Sequence, residues 1–141
     1  MRNLSKRYSE LILLPTFIER YRYLKLGGSV GIETFGFDRY LNQVFYKSNE
    51  WKIARREVIL RDNSCDLGDP ERPIFGSVII HHLNPITEED ILKRRDWIYD
   101  PEFLVCCADK THKAIHYGDE SLLFLGIVER QPNDTSPWLR V

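Results

Sequence analysis

Two short stretches decide the fold: Ser77-Val78-Ile79-Ile80-His81-His82 and Asp109-Lys110-Thr111-His112-Lys113-Ala114-Ile115-His116-Tyr117. Together they carry all four histidines of the chain. The first stretch opens with a β-branched run, which predicts a strand over Ser77–Ile80 that leads into the histidine pair. Successive side chains of a strand point to opposite faces, so His81 and His82 are expected to diverge.

The second stretch predicts a helix, with Asp109 as its N-cap and Gly118 just past its end. His112 and His116 are four residues apart and therefore share one helical face. Such a pair can chelate one cation, and a third histidine from the strand end would complete a three-ligand site with open positions. A lone histidine is more often an ordinary core or surface residue, but two pairs favour a shared metal site.

Three motifs, together with several stretches upstream, resemble those of a known family. The motifs are Val78–His82 with Leu83-Asn84-Pro85, Leu104–Cys107 and Thr111–His116, and the upstream stretches are Tyr40–Gln43, Trp51-Lys52 and Val58–Gly68. Over most of residues 35–120 the chain resembles the HNH endonucleases, in particular the HNH-type proteins of bacteriophages. The resemblance implies an α+β fold with a ββα-metal core, in which two strands and a helix grip one divalent ion and press against a phosphodiester backbone.

The resemblance also implies a role for each histidine. His81 matches the metal ligand of the first motif, His82 the general base that activates water, and His112 and His116 the helical ligands. The chemistry agrees, because an imidazole with a near-neutral pKa can take a proton from water beside a divalent ion. Three imidazoles admit magnesium, manganese, nickel or zinc as that ion. The expected activity is metal-dependent hydrolysis of DNA.

One position departs from the motif. The family's middle asparagine falls on Phe103. In the family this side chain pins the loop between the strands, while a backbone carbonyl at the same place orients the general base. Phe103 would keep the carbonyl contact and lose the pin, so we expect a differently braced loop, with Asp100 or Asn84 as possible braces.

The departure leaves an alternative function open. A protein that keeps the fold, and with it the metal, could bind DNA without cutting it, as an accessory module. A purely structural metal domain fits less well, because a closed site needs four ligands and neighbours on a strand diverge.

The cysteines argue against a structural zinc. The family's two Cys-x-x-Cys knuckles fall on four positions of which one keeps its cysteine: Cys65, Gly68, Ala108 and Thr111. Cys106 and Cys107 are neighbours on a predicted strand and would point apart. We therefore expect no structural zinc, hydrophobic packing in its place, and three buried reduced thiols.

Length and composition bound the class of protein. A chain of 141 residues suits one domain with a core that needs no disulfides. No apolar run reaches membrane-spanning length, so no membrane partner is expected. Three cysteines without an export signal predict a reducing cytoplasm, that of the host if the protein is phage-encoded. The net charge of −1 means that DNA binding would need a local basic patch. The oligomeric state stays open.

We divide the chain into a helical N-terminal region (1–48), the nuclease core (49–120) and a C-terminal strand and tail (121–141). Four helices are predicted upstream of the histidines. The first covers Ser9–Leu14, and the second covers Thr16–Leu26 and points Phe17, Tyr21 and Leu24 inward. The third is capped by Asp38 and points Leu41, Val44 and Phe45 inward, and the fourth covers Asn49–Arg61 after Ser48.

The helix over Asn49–Arg61 carries a basic stripe. Lys52, Arg55 and Arg56 lie at i, i+3 and i+4, where they could contact DNA phosphates or serve solubility alone.

Further along, Thr87 begins a capping box that predicts an inserted helix to about Arg94. Leu104–Cys107 is predicted to pair antiparallel with the first strand, and Leu122–Val128 to form a final strand or buried run.

Overall fold

The computed structural model describes residues 4–26 and 39–124 as a mixture of helices and one antiparallel sheet, in agreement with the predicted α+β class. The elements in chain order are α1 (Tyr8–Leu11), α2 (Phe17–Leu24), α3 (Arg39–Lys47), α4 (Asn49–Asp62), β1 (Ile79–His82), α5 (Glu88–Leu92), β2 (Leu104–Cys107) and α6 (Asp109–Tyr117). Short 3-10 turns occur at Asp66–Gly68, Asp96–Tyr99, Pro101–Phe103 and Glu120–Phe124. No helix in the described ranges is both long and apolar enough to cross a membrane.

The two strands pair antiparallel, as predicted, with Ile79 opposite Cys107 and His82 opposite Leu104. Strand β1 is shifted by two residues from the predicted Ser77–Ile80: it begins at Ile79 and includes both histidines. Since side chains alternate along a strand, His81 and His82 lie on opposite faces of the sheet. The predicted divergence of the pair is confirmed.

A hydrophobic cluster covers each face of the sheet. The first contains Phe45, Trp51, Ala54, Val58, Ile80, Ile86, Ile91, Trp97, Ile98, Phe103, Leu104 and Cys106. The second contains Leu11, Phe17, Tyr21, Leu24, Leu67, Leu83, Val105, Cys107, Ala114, Ile115 and Leu123. Cys106 and Cys107 thus point into different clusters, and all three cysteines are free and buried, as expected.

Three of the predicted helix caps are confirmed. The side chains of Thr16, Ser48 and Thr87 each accept a hydrogen bond from the backbone N–H three residues later. At Thr87 the capping box is complete, because the Asp90 carboxylate accepts from the Thr87 N–H in return. The helices that follow end earlier than predicted at two places: α2 ends at Leu24 and α5 ends at Leu92.

Several predicted details are wrong. Val44 is 46% exposed, although Phe45 beside it is buried as expected. Residues 122–124 belong to a 3-10 turn in place of a strand. The predicted cap Asp38, the side chain of Leu41 and residues 125–128 lie outside the part of the chain that the structure describes.

The N-terminus of α6 also differs from the prediction. Its N-cap is Ala108, and Asp109 instead forms an ion pair with Lys113 at 3.1 Å. The capping acceptor comes from the loop 65–68, because the buried Asp66 carboxylate accepts from the Ala108 N–H at 3.1 Å and from the Thr111 hydroxyl at 2.6 Å. At the positions where the resemblance places a zinc knuckle, the two chain segments are therefore joined by hydrogen bonds to a carboxylate, in addition to the buried Cys65 and Leu67.

Candidate metal centre and nucleic-acid interface

Strand β1 and helix α6 bring three histidines together. His81 comes from the strand, and His112 and His116 come from consecutive turns of the helix. One ring nitrogen from each lies within 4.8 Å of the other two, so the three side chains could hold a metal ion. This is the set that the sequence predicted as ligands.

The distances within the cluster fit a shared cation. The Nε2 atoms of His112 and His116 are 3.0 Å apart. Two nitrogens bound to one ion at ordinary metal–nitrogen distances lie about 3.0–3.4 Å apart, depending on the coordination angle. The widest separation in the cluster would shorten by at most about 1.5 Å to reach that range.

A buried nitrogen in the cluster points to the same conclusion. The Nε2 atom of His81 is buried and has no hydrogen-bond partner among the described residues. An unpaired buried polar atom is costly, and a cation bound to it would remove that cost. The residues present therefore fit a divalent ion held by three imidazoles with positions left open for water or substrate.

Burial favours the neutral form of two of the clustered histidines. Desolvation lowers the pKa of His81 well below its usual value, and the neighbouring His112 and His116 lower it further. Burial likewise lowers the pKa of His112 to about 4, with His116 as the next cause. Neutral imidazoles are the form that binds metals, so His81 and His112 could bind an ion at neutral pH without first losing protons.

His82 occupies a separate aromatic pocket on the other face of the sheet. Its ring stacks on Trp51, with ring centroids 5.3 Å apart and an interplanar angle of 19°. Phe45 and Trp97 also contact the ring, at centroid distances of 5.7 and 6.3 Å. A side chain enclosed in this way has few alternative rotamers, so its orientation is set by packing.

A backbone carbonyl completes the pocket. The Nε2 atom of His82 lies 3.0 Å from the carbonyl oxygen of Ile98. A carbonyl can only accept, so Nε2 carries the proton and the lone pair of the neutral ring sits on Nδ1. Desolvation lowers the pKa of His82 to about 4, partly offset by this hydrogen bond. The ring is therefore neutral at physiological pH and able to accept a proton at Nδ1.

This carbonyl is not the predicted one. Phe103, which takes the place of the family's asparagine, was expected to keep the carbonyl contact to the base. Its carbonyl instead accepts from the Leu83 N–H at 2.9 Å, and its ring is buried against Trp97. The carbonyl that contacts His82 belongs instead to Ile98, in the segment between the two strands.

The loop before β2 is braced without an asparagine. The Asp100 side chain accepts from the Glu102 N–H at 3.0 Å, and the Asp100 carbonyl accepts from the Phe103 N–H at 2.9 Å. Asp100 thus braces the loop, as suggested from the sequence. Asn84 has another role, because its amide donates to the Lys6 carbonyl and accepts from the Lys6 N–H.

An open cleft of about 480 Å³ runs along β1 beside the cluster. Its lining comes from α3, α4, the strand and α6: Tyr46, Trp51, Lys52, Arg55, Val78, Ile79, Ile80 and His112. Two of the three predicted DNA contacts, Lys52 and Arg55, therefore lie next to a metal-cluster histidine. The third, Arg56, lines an adjoining cleft of about 390 Å³ together with Lys52 and Arg55.

The basic stripe on α4 differs from the exposed cations after α5 in having no acidic partner among the described residues. Neither Lys52 nor Arg56 forms an ion pair with a described residue, and the Arg55 guanidinium donates to the Val78 carbonyl. By contrast, the exposed cations after α5 all have acidic partners: Lys93 and Arg95 with Glu89, and Arg94 with Glu50. Unpaired cations beside a cleft are available for an anionic ligand.

Three contributors to the site were missed at the level of sequence. Ile98 acts through its main chain, which leaves no side-chain signature. Asp66 carries no local sign in the sequence of its long-range hydrogen bonds to α6. Lys6 also carries no local sign of a role, yet Asn84 holds its backbone and its charge helps to lower the pKa of His81.

The described chain thus joins a three-histidine cluster, an oriented fourth histidine and a basic cleft around one strand. No family model matches the sequence, and neither the curated proteins nor the solved structures contain a match.

Proposed function

We propose that this protein is a metal-dependent DNA endonuclease of the HNH type. The observation that carries the proposal is that the two histidines of β1 have different surroundings. His81 joins His112 and His116 in a cluster of metal-ligand geometry. His82 lies on the other face of the sheet as a neutral ring hydrogen-bonded to Ile98. A closed structural site would have no use for the second histidine. A hydrolase needs it as a base.

His82 takes the proton of the attacking water on Nδ1, the ring nitrogen left free of the Ile98 carbonyl. The water oxygen forms a bond to phosphorus, and one ester P–O bond breaks. When bound at His81, His112 and His116, a divalent cation stabilises the charge that develops on the phosphate and the leaving oxygen. The scissile phosphate itself is negative, so its arrival raises the pKa of His82 toward the range in which a general base is effective.

The Ile98 carbonyl orients the base by fixing the tautomer of His82. If Nε2 lost its acceptor, the proton could move to Nδ1 and block the nitrogen that must receive the proton from water. Stacking on Trp51 fixes the plane of the same ring. Both restraints lower the cost of reaching the reactive arrangement, because little freedom is left to lose.

A binding module that does not cut is the alternative, and it was suggested by Phe103. The described contacts give it less support, since the loop before β2 is braced through Asp100 and the base is held by Ile98. Neither contact uses an asparagine side chain.

The test is cleavage of supercoiled plasmid by the purified protein with magnesium, manganese, nickel or zinc, beside an EDTA control. We expect cutting that needs the metal and is abolished in His82→Ala, with metal affinity and folding retained in that variant. Lys113→Ala, on the exposed side of α6, is the matched control and should cut normally. Cutting that survives His82→Ala would refute the assignment of the base, and a folded, metal-loaded protein that binds DNA without cutting it would favour the binding module.

A further inference from the structure

The cleft beside the metal cluster lies on an open strand edge. Strand β1 pairs only with β2 among the described strands, so its other edge carries no strand partner there. Val78, Ile79 and Ile80 line the cleft in sequence along this edge. Because neighbouring side chains point to opposite faces, an occupant of the cleft lies beside both faces of the sheet at once.

The lining of the cleft includes residues of both halves of the site. His112, which lines the cleft, belongs to the metal cluster. The Trp51 indole also lines the cleft and stacks on His82. A ligand in the cleft would therefore reach the reacting groups from the side.

The lining combines an aromatic face with cations. Tyr46 is 44% exposed and meets Trp51 edge-on, with ring centroids 5.3 Å apart, so part of the Tyr46 ring is open to a ligand. Lys52 and Arg55 provide positive charge on the same wall. A volume of about 480 Å³ lies within the range of about 300–1,000 Å³ that small-molecule sites occupy.

A nucleotide has the matching chemistry, since it joins a flat aromatic base to an anionic phosphate. Bases stack on exposed aromatic rings in proteins that bind single strands, and the backbone follows a cationic groove. Here the cationic groove continues past Lys52 and Arg55 to Arg56 in the adjoining cleft. A base that enters the cleft must be unpaired, because a base within a duplex has its faces covered by its neighbours.

We propose that the cleft takes the unpaired nucleotide next to the scissile phosphate, with its base against Tyr46 and its backbone on Lys52 and Arg55. The preferred substrate is then DNA with a single-stranded segment, and intact duplex is a poorer one. This inference rests on the proposed endonuclease function, but it concerns binding and can be tested without cleavage.

The experiment measures fluorescence anisotropy of a labelled oligothymidylate and of a labelled blunt duplex, with magnesium present and in a His82→Ala background that prevents cutting. Tyr46→Phe keeps the ring and should bind the single strand like its parent. Tyr46→Leu keeps an apolar side chain without a stacking face and should weaken single-strand binding about fivefold or more, with duplex binding unchanged. Phe124→Ala removes an equally exposed ring outside the cleft and should change neither.

The outcomes separate this inference from the proposed function. If Tyr46→Leu weakens both ligands equally or neither, the nucleotide cleft is refuted, even when the wild type cuts plasmid. If the wild type never cuts but Tyr46→Leu still loses the single strand selectively, the cleft stands and the endonuclease function falls. A melting temperature and a metal affinity equal to those of the parent confirm that Tyr46→Leu leaves the fold and the cluster intact. A variant that lost either would be replaced by Tyr46→Met, which also lacks a stacking ring and for which the same selective loss of single-strand binding is expected.

Discussion

The three clustered histidines differ in how far they are exposed. His81 and His116 are buried, whereas His112 is half-buried and also lines the cleft. Replacing His112 should therefore disturb the fold least while removing one of three ligands.

We expect His112→Ala to weaken metal affinity at least tenfold, because loss of a direct ligand should cost no less than loss of the groups that support ligands. Titration calorimetry with nickel or zinc measures the change, and Lys113→Ala is the control on the neighbouring position. Unchanged affinity in His112→Ala would remove that residue from the site.

Sequence reasoning found the histidines because a side chain's chemistry and spacing are visible locally. It did not find what holds them in place. The partner of His82 is a main-chain oxygen sixteen residues away, and the lone pair on Nδ1 follows from that contact alone. The expected contact from Phe103 was wrong, since that carbonyl is used by Leu83 to join the strands.

Helix α6 is held at its first turn by a residue from a distant loop. Asp66 accepts hydrogen bonds from the Ala108 N–H and the Thr111 hydroxyl; the first is partly buried and the second is buried. The helix that carries two of the clustered histidines is thus positioned at its N-terminus by one carboxylate.

We expect Asp66→Ala to lower the free energy of unfolding by about 2–4 kcal/mol, because two donors would lose their acceptor. Urea denaturation measures this loss. Asp109→Ala is the matched control: this carboxylate begins the same helix but is exposed and only pairs with Lys113, so the cost should stay below about 1 kcal/mol. Equal losses in the two variants would mean that Asp66 does not anchor the helix.

Helix and strand positions were largely predictable because caps and periodicity are local. Thr16, Ser48 and Thr87 each mark a helix start in the sequence and in the structure. The α6 cap was misplaced by one residue because its acceptor comes from another part of the chain. Val44 was misplaced because periodicity shows that a face is apolar but does not show how much of it another element covers.

The folded protein keeps His81, His82 and His112 neutral near pH 7. The pKa of His82 and that of His112 are lowered from 6.5 to about 4, and the pKa of His81 is well below 6.5, in each case chiefly by burial. Between these pH values the unfolded chain binds protons that the folded chain does not. Folding is therefore fully favoured above about pH 6.5 and loses stability as the pH falls toward 4.

We expect the metal-free protein to lose up to about 1.4 kcal/mol of unfolding free energy per pH unit for each of these histidines in that window. Denaturation in EDTA at a series of pH values gives the slope. His112→Ala should flatten the slope by removing one group. A stability that stays level from neutral pH down to about 4 would show that the histidines titrate alike in the folded and unfolded chains.

The open edge of β1 has a consequence for how copies of the protein behave toward one another. An uncovered strand edge is a template on which a second chain can add a strand and begin to aggregate. Here the Arg55 guanidinium donates a hydrogen bond to the Val78 carbonyl, and Lys52 lines the same cleft. A second copy that approached edge to edge would bring its own Lys52 and Arg55 against the same positive charges, and this repulsion disfavours the addition of strands between copies.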